Sequence, residues 1–278
     1  MAAEISGLLP AEALLHPAFD PLRRWLCRLS DRPRTADLNA LIEGGPSPLV
    51  TATGLPVRFS SAPAASGHYE QKIFDTGFVD TRPDNLHDLF NALTWLTFPR
   101  TKAALNARHV ERIAAEGIVR GPLRDLLTLV DEGGVIVACE ERSLPGFEAL
   151  IRSFRWQDLF WDRRDDLLKD ARFVLTGHNA YEKALTPYAG ITCKAIFIST
   201  PSERIEGSWV ELVAWLDCEA AAWVEGLPND AKPGQMAPLP VFGYPGWLAQ
   251  STDAAFYKDR RWFRPGPSRS FPSPSLSV

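Results

Sequence analysis

The stretch that decides the fold is residues 85–109, which read NLHDLFNALTWLTFPRTKAALNARH. Its first half has the apolar spacing of a helix, because four side chains fall within an arc of about 100°: Leu86, Leu89, Phe90 and Leu93. Asp84 or Asn85 can cap this helix. Pro99 suits the first turn of a second helix. The sequence therefore predicts a pair of helices over residues 84–116.

Both predicted helices carry a polar stripe beside the apolar one. On the first, His87 and Asn91 are four residues apart and share a stripe that Asp88 can reach from the side. On the second, three side chains at i, i+4 and i+7 share a stripe: Lys102, Asn106 and His109. The connection around Phe98 is very short, and short connections place helices as antiparallel neighbours. We therefore expect the two stripes to face each other across one cleft.

The residue types in these stripes suit acid–base or metal chemistry. Histidine gives or takes a proton near neutral pH, and a neighbouring carboxylate fixes its tautomer, so the catalytic candidates are His87, Asp88 and His109. The same three could hold a divalent metal ion with open positions. The substrate-binding candidates are Arg82, Asn85, Asn91, Lys102 and Asn106. Residues 82–124 contain seven Arg or Lys and four Asp or Glu, which favours an anionic ligand.

A second polar cluster is residues 177–183, which read GHNAYEK after a short apolar run. His178 and Glu182 are four residues apart on a predicted helix, and both are further catalytic candidates. Lys183 is a further substrate-binding candidate. A helix N-terminus favours anions and lowers the pKa of a nearby histidine. The plainer alternative is a surface ion pair between His178 and Glu182.

Outward from these motifs, the sequence predicts an α+β fold: a helix-rich single domain over 1–264 with a disordered tail over 265–278, which holds four prolines and five serines. The helical N-terminal part is 16–43. The other predicted elements are one or two strands over 69–81, a β-hairpin with arms 126–130 and 135–139, and a strand–helix–strand unit over 173–199. Glu70 could supply a carboxylate from a strand, and residues 131–134 resemble an ordinary hairpin turn.

Composition excludes several classes of protein. With a net charge of -4, the chain lacks the basic footprint of a nucleic-acid coat, although a local basic site stays compatible with it. The four cysteines are scattered and form no CxxC pair, which is typical of buried thiols in a reducing compartment. We see no secretory leader and no run of about 18 apolar residues, so we expect a cytoplasmic protein with no membrane partner.

The run over 85–109 resembles the signature of a proteobacterial family of uncharacterised proteins, domain of unknown function 3025. Other segments resemble recurring parts of that family: 177–183, 238–247, and 256–259 together with 263–265. The resemblance covers most of residues 16–265. Many relatives carry Trp before the histidine, where this chain has Leu86, which keeps the position apolar. The resemblance implies a bacterial source and supplies no activity.

Three hypotheses for function follow from the sequence. The first is an enzyme acting on a phosphate- or carboxylate-bearing substrate, such as a hydrolase with a divalent metal cofactor. The second is a non-catalytic ligand- or partner-binding protein that uses the same basic cleft. The third is a structural role, in which the polar residues form a buried hydrogen-bond network. Geometry discriminates them, because catalysis needs the histidines in one concave site, whereas a structural network needs every polar group enclosed and partnered.

Overall fold

The structure is a computed structural model that describes residues 8–45, 48–61, 68–117 and 119–266, so the predicted tail lies outside it beyond residue 266. Its α-helices are α1 (Ala11–Leu14), α2 (Arg23–Leu26), α3 (Thr35–Glu43), α4 (Tyr69–Thr76), α5 (Leu86–Thr97), α6 (Pro99–Glu116), α7 (Pro122–Gly133), α8 (Leu144–Arg152), α9 (Arg164–Asp170), α10 (His178–Ala184), α11 (Ser202–Glu206) and α12 (Trp209–Glu225). Its strands are β1 (Arg58–Ser60), β2 (Phe78–Asp80), β3 (Gly134–Cys139), β4 (Ala171–Leu175), β5 (Cys193–Ser199) and β6 (Ala237–Leu239). The predicted α+β fold class is confirmed.

The strands form two small sheets. β1 and β2 pair in parallel, with Phe59 opposite Val79. The larger sheet has the order β4-β3-β5-β6, in which β3 runs antiparallel to β4 and parallel to β5. All six residues of β3 are buried, as expected for a central strand covered on both faces.

The two faces of β3 belong to two hydrophobic clusters. Val135 and Val137 point into a cluster that includes aromatic side chains of α5 and α10, such as Phe90 and Tyr181. Ile136 and the alternate residues point into a second cluster, built mainly on α7 and α12. The helix layers therefore lie on opposite sides of one central strand, and the site described below forms where helices of both layers meet.

The predicted helix pair is confirmed. Asn85 is the N-cap of α5, and its Oδ1 accepts the backbone N–H of Asp88 at 2.9 Å. Pro99 opens α6, and Gly117 ends it with a φ of 67°. The two polar stripes do meet, because Lys102 Nζ donates to Asn91 Oδ1 at 2.8 Å.

The predicted β-hairpin over 126–139 is wrong in its first arm. Residues 122–133 form α7, whose buried face is set by four residues at helical spacing: Leu123, Leu126, Leu127 and Val130. Gly133 is the last helical residue, and β3 begins at Gly134 without an intervening loop. The predicted turn over 131–134 is therefore wrong: residues 131–133 end α7, and Gly134 is the first residue of β3.

The strand prediction over 69–81 is wrong for its first part. Tyr69–Thr76 is helix α4, with Ile73 as its buried residue, and only Phe78–Asp80 is a strand. Gly77 separates the two elements in the left-handed conformation (φ 73°), and its N–H donates to Ile73 O at 2.8 Å. An added Cβ on Gly77 would lie 2.2 Å from Pro56 O, so the close approach to β1 also requires glycine.

Three smaller differences complete the comparison. The predicted strand–helix–strand elements exist as β4, α10 and β5, but β3 lies between the two strands, so they do not pair. The predicted helical part over 16–43 begins with a 3-10 helix, Pro17–Leu22, followed by the short α2. Of the four free cysteines, Cys139 and Cys193 are buried as expected, whereas Cys27 and Cys218 are exposed.

Candidate functional site

A cavity of about 520 Å³ opens where α4, α5, α6, α7 and α10 converge. Its lining includes six of the eleven catalytic and substrate-binding candidates: Arg82, His87, Asp88, Asn91, His109 and His178. It also includes Tyr69 and Glu70 of α4, Thr128, Asp131 and Glu132 of α7, and Asp80 and Thr81 at the end of β2. The two clusters that are far apart in sequence therefore share one concave site.

His87, Glu132 and His178 bring three potential metal-ligand atoms together. His87 Nε2 lies 3.1 Å from His178 Nε2, and His178 Nε2 lies 3.8 Å from Glu132 Oε1. One ligand atom from each residue lies within 4.8 Å of the other two. Two imidazoles and one carboxylate are donors that zinc and iron(II) accept.

The backbone explains why Glu132 and His178 approach each other. Gly134 O accepts the N–H groups of both Thr176 and Gly177 at 3.0 Å, which binds the start of β3 to the turn before α10. A Cβ on Gly177 would lie 2.4 Å from the carbonyl oxygen of Glu132, so only glycine permits this approach. The end of α7 and the start of α10 are thereby held in contact.

A buried ion pair supports this wall of the cavity. Lys102 Nζ lies 2.5 Å from Asp131 Oδ1 and also donates to Asn91 Oδ1, whose amide Nδ2 donates to the hydroxyl of Tyr69 at 2.8 Å. Burial would raise the pKa of Asp131, but the charge of Lys102 and its hydrogen bond outweigh burial and hold that pKa below its ordinary value. Asp131 therefore stays ionised, with its Oδ2 3.7 Å from His178 Nδ1.

Glu70 and His109 form another part of the cavity lining. Asn106 Nδ2 donates to Glu70 Oε2 at 2.7 Å and to the Glu70 backbone oxygen at 2.8 Å. Glu70 is partly exposed because it opens onto the cavity, yet the protein surrounding it desolvates the carboxylate. This desolvation and the nearby Asp131 raise the pKa of Glu70 to about 7. Burial lowers the pKa of His109 to about 4 and that of His178 to about 4, so both imidazoles are neutral at pH 7.

Arg82 and Asp88 form a two-pronged ion pair at the exposed side of the cavity. Asp88 Oδ2 accepts the Nε and backbone N–H groups of Arg82 at 2.8 Å, and Oδ1 accepts Nη2 at 2.9 Å. Desolvation would raise the pKa of Asp88, but the hydrogen bonds from Arg82 outweigh it and lower that pKa below its ordinary value. Asp88 lies outside the three-residue cluster of His87, Glu132 and His178.

The remaining sequence candidates lie at the edge of the site or outside it. Glu182 Oε2 is 3.6 Å from His87 Nδ1, so the carboxylate can orient that imidazole. Asn85 uses its side chain to cap α5. Lys183 is exposed and does not line the cavity. The sequence identified Glu70 but assigned it to a strand, and it missed Asp131 and Glu132 because they were placed in a turn.

The charge of the cavity differs from the basic cleft predicted. Five carboxylates line it: Glu70, Asp80, Asp88, Asp131 and Glu132. Arg82 lines it as well, while Lys72 and Lys102 form ion pairs with lining residues. Three arginines of the basic segment instead form ion pairs outside the lining: Arg108, Arg112 and Arg120. Acidic groups therefore outnumber basic ones around this cavity, which favours a cation inside it.

The geometry also bears on the structural hypothesis. His87 has 39% of its side-chain surface exposed and Glu132 has 35%, so these groups are not enclosed. Within the described ranges, the buried Oδ1 of Asn106 has no hydrogen-bond partner. A purely structural network is expected to be buried and fully satisfied. The arrangement instead leaves acid–base groups accessible to a ligand.

Comparison with known proteins identifies the family. None of the helices in the described ranges has the length and apolar character that crossing a bilayer requires. Searches of curated proteins and of solved structures returned no match. A family model described as Protein of unknown function (DUF3025) matches residues 57–267, a range that contains every residue lining the cavity. The chain therefore belongs to the DUF3025 family.

Proposed function

We propose that this protein is a metal-dependent hydrolase that acts on a phosphate- or carboxylate-bearing substrate. The observation that carries the proposal is the cluster of His87, Glu132 and His178, whose ligand atoms lie within 4.8 Å of one another at the wall of an open cavity. Three protein ligands leave a coordination position for water or substrate, as in catalytic zinc sites. A divalent ion held there would polarise a substrate oxygen and lower the pKa of a bound water.

The surplus of carboxylates supports both the ion and the choice of substrate. Without a cation, the acidic lining would repel an anionic substrate. A divalent ion held by the cluster would neutralise Glu132 and supply a local positive charge. The guanidinium of Arg82, fixed by Asp88 at the exposed side, would then contact the anionic part of the substrate.

Glu70 is the residue proposed to move a proton. Its pKa of about 7 lets it accept a proton from water and later return it to a leaving group near neutral pH. Asn106 fixes the carboxylate through its Nδ2, which donates to Glu70 Oε2. Lys102 acts on the site indirectly, since its charge is paired with Asp131 behind His178.

Metal binding is the first test. The purified protein is dialysed against a weak chelator, reloaded with zinc, manganese or iron(II) anaerobically, and analysed for metal content. We expect one ion per chain in the wild type, loss of the ion in His87→Ala and Glu132→Gln, and retention in His109→Ala. His109 is the matched control, because it lines the same cavity but lies outside the three-residue cluster. A wild-type protein that binds none of these ions would refute the proposal.

Hydrolysis is the second test, and it separates the enzyme from a non-catalytic binding protein. The metal-loaded protein is assayed on p-nitrophenyl phosphate and on a carboxylate-bearing p-nitrophenyl ester. We expect turnover that EDTA abolishes and that Glu70→Gln reduces by about 100-fold, the usual size of one acid–base contribution. If the protein binds metal and phosphate but hydrolyses neither ester, the non-catalytic alternative is favoured.

A further inference from the structure

A second, larger cavity of about 1130 Å³ lies between α2 and α3 on one side and the start of α6 with α12 on the other. Helix α6 separates it from the first cavity, since Arg100 and Ala103 line the second one whereas His109 lines the first. None of the residues proposed for hydrolysis lines it.

The walls of this second cavity are mainly aliphatic and small. Branched side chains line one part, among them Leu41, Leu49 and Val213. Alanines line another, among them Ala103, Ala214 and Ala221. Val210, with 51% of its surface exposed, stands at the opening. Such a surface removes a flexible hydrocarbon chain from water and offers few groups for the orientation of a polar ligand.

Guanidinium groups without acidic partners lie at one edge of the cavity. Arg24 stacks on Trp25, with its Cζ 4.0 Å from the ring centroid, and within the described ranges it pairs with no carboxylate. Arg28 is exposed and lies outside the lining, but its guanidinium approaches Gly44, next to the lining residue Gly45, and within the described ranges it has no acidic partner either. Burial and the neighbouring charge of Arg28 both lower the pKa of Arg24, and no acid offsets them.

The carboxylates of the lining do not neutralise this edge. Asp20 is held by Arg23, whose Nε donates to its Oδ1 at 3.0 Å. Asp217 accepts the backbone N–H groups of Arg100 and Thr101 at 3.0 and 2.9 Å. Glu225, at the end of α12, forms no ion pair with Arg24 or Arg28 within the described ranges, and no acidic group raises the pKa of Arg24. The cavity thus combines an apolar interior with an edge that carries unpaired positive charge.

From this combination we infer that the second cavity binds a long-chain carboxylate, with the hydrocarbon chain against the alanine-rich wall and the carboxylate at Arg24 and Arg28. At about 1130 Å³ the cavity is slightly larger than typical ligand pockets of about 300–1,000 Å³, so it has room for a small amphipathic ligand. The carboxylate accepts charge-assisted hydrogen bonds from the guanidinium groups. This inference is independent of the hydrolase proposal, because it shares no residue with it.

The test uses laurate below its micellar concentration, added to the full-length protein and followed by titration calorimetry. We expect one laurate per chain and at least tenfold weaker binding in both Arg24→Gln and Arg28→Gln. Arg155→Gln is the matched control, since Arg155 is an exposed arginine outside the cavity, and it should bind laurate as the wild type does. Ala214→Trp, at an exposed position of α12 that lines the cavity, should abolish binding without unfolding the protein.

Cysteine reactivity provides a second readout. Cys218 lines the second cavity and is exposed. Laurate should slow the alkylation of Cys218 by N-ethylmaleimide severalfold, and Arg24→Gln should remove most of that protection. Equal binding of dodecyltrimethylammonium, or binding that Arg28→Gln leaves unaltered, would overturn the assignment of an anionic head group. Absence of both laurate binding and Cys218 protection would overturn the site itself.

Discussion

Gly177 has no side chain, and we predict that giving it one disrupts the candidate metal site. In Gly177→Ala the new Cβ would lie 2.4 Å from the carbonyl oxygen of Glu132, 2.5 Å from its carbonyl carbon and 2.5 Å from Gly133 N. The backbone angles at Gly177, φ -74° and ψ 125°, suit any residue, so the collision is the whole effect. All three opposing atoms are backbone, which means that no side chain can rotate away.

The size of the effect follows from that collision. For the new Cβ to reach ordinary van der Waals distance from the backbone of Glu132, the end of α7 and the start of α10 must move apart by about 1 Å. Overpacking costs about 1–3 kcal/mol, and a collision of backbone with Cβ lies near the upper limit. For a chain of this size, about 3 kcal/mol lowers Tm by roughly 6–10 °C. The same shift separates Glu132 from His178, so metal affinity should fall about tenfold or more.

Urea denaturation and metal titration of the purified variant measure both effects. Gly133→Ala is the matched control, because nothing lies within 4 Å of a Cβ built at Gly133, which is the last residue of α7. That variant should be as stable as the wild type or more stable by up to about 1 kcal/mol. The reasoning is refuted if Gly177→Ala unfolds at the wild-type urea concentration and binds metal equally well.

Three other substitutions test the charges around the two cavities. The pKa of Glu70 in the folded protein, about 7, lies above its ordinary value of 4.5, so its contribution to stability is present at low pH and is lost as the pH rises through 7. In urea titrations, the free energy of unfolding of Glu70→Gln should therefore rise relative to that of the wild type by up to about 3 kcal/mol between pH 5 and pH 8. A difference that does not change with pH would contradict this. Lys102→Met leaves the charge of Asp131 uncompensated and should cost about 3–5 kcal/mol in the same assay, whereas a loss below 1 kcal/mol would show that Asp131 is solvated. Asp217→Ala removes the acceptor for two N–H groups at the start of α6 and should cost about 2 kcal/mol by thermal unfolding, with no cost expected if water replaces the carboxylate.

The helix pair and the meeting of its polar stripes were predictable because local signals agree there. Asn85 caps α5 and Pro99 opens α6. The apolar residues between them have the spacing of a helix and of no other regular structure. The short connection then leaves few arrangements, so the contact between Lys102 and Asn91 follows from helical periodicity. Where propensity, capping and periodicity point the same way, the sequence determines local structure.

The hairpin prediction is wrong at α7 because two signals in the sequence conflict there, one over a few residues and one over a longer range. Two adjacent glycines after two acids resemble a hairpin turn, yet the apolar residues from Leu123 to Val130 follow the i, i+3, i+4, i+7 spacing of a helix. That error placed Glu132 in a solvent-exposed turn and removed it from the candidate ligands. Counting the helical spacing from Pro122 onward would have recovered it.

Other features depend on contacts between segments far apart in the chain. The order of strands around β3 places β4 and β5 on its two sides, which no local pattern encodes. The need for glycine at Gly177 arises from the backbone of Glu132, 45 residues earlier in the sequence. The charge of the cavity likewise depends on which arginines form ion pairs elsewhere, and a net count over 82–124 could not supply that.

The direct passage from α7 into β3 has a consequence for how a bound ion would exchange. Glu132 lies two residues before the central strand and His178 three residues after β4, and Gly134 O joins the two segments. The backbone segments that carry these two candidate ligands are tied to the central sheet, so their separation requires that sheet to open, which is a global event. His87 instead lies in the first turn of α5, partly exposed, where fraying is local. Ion release should therefore begin at His87, with a rate set by local opening of that helix end and uncoupled from the rate of unfolding.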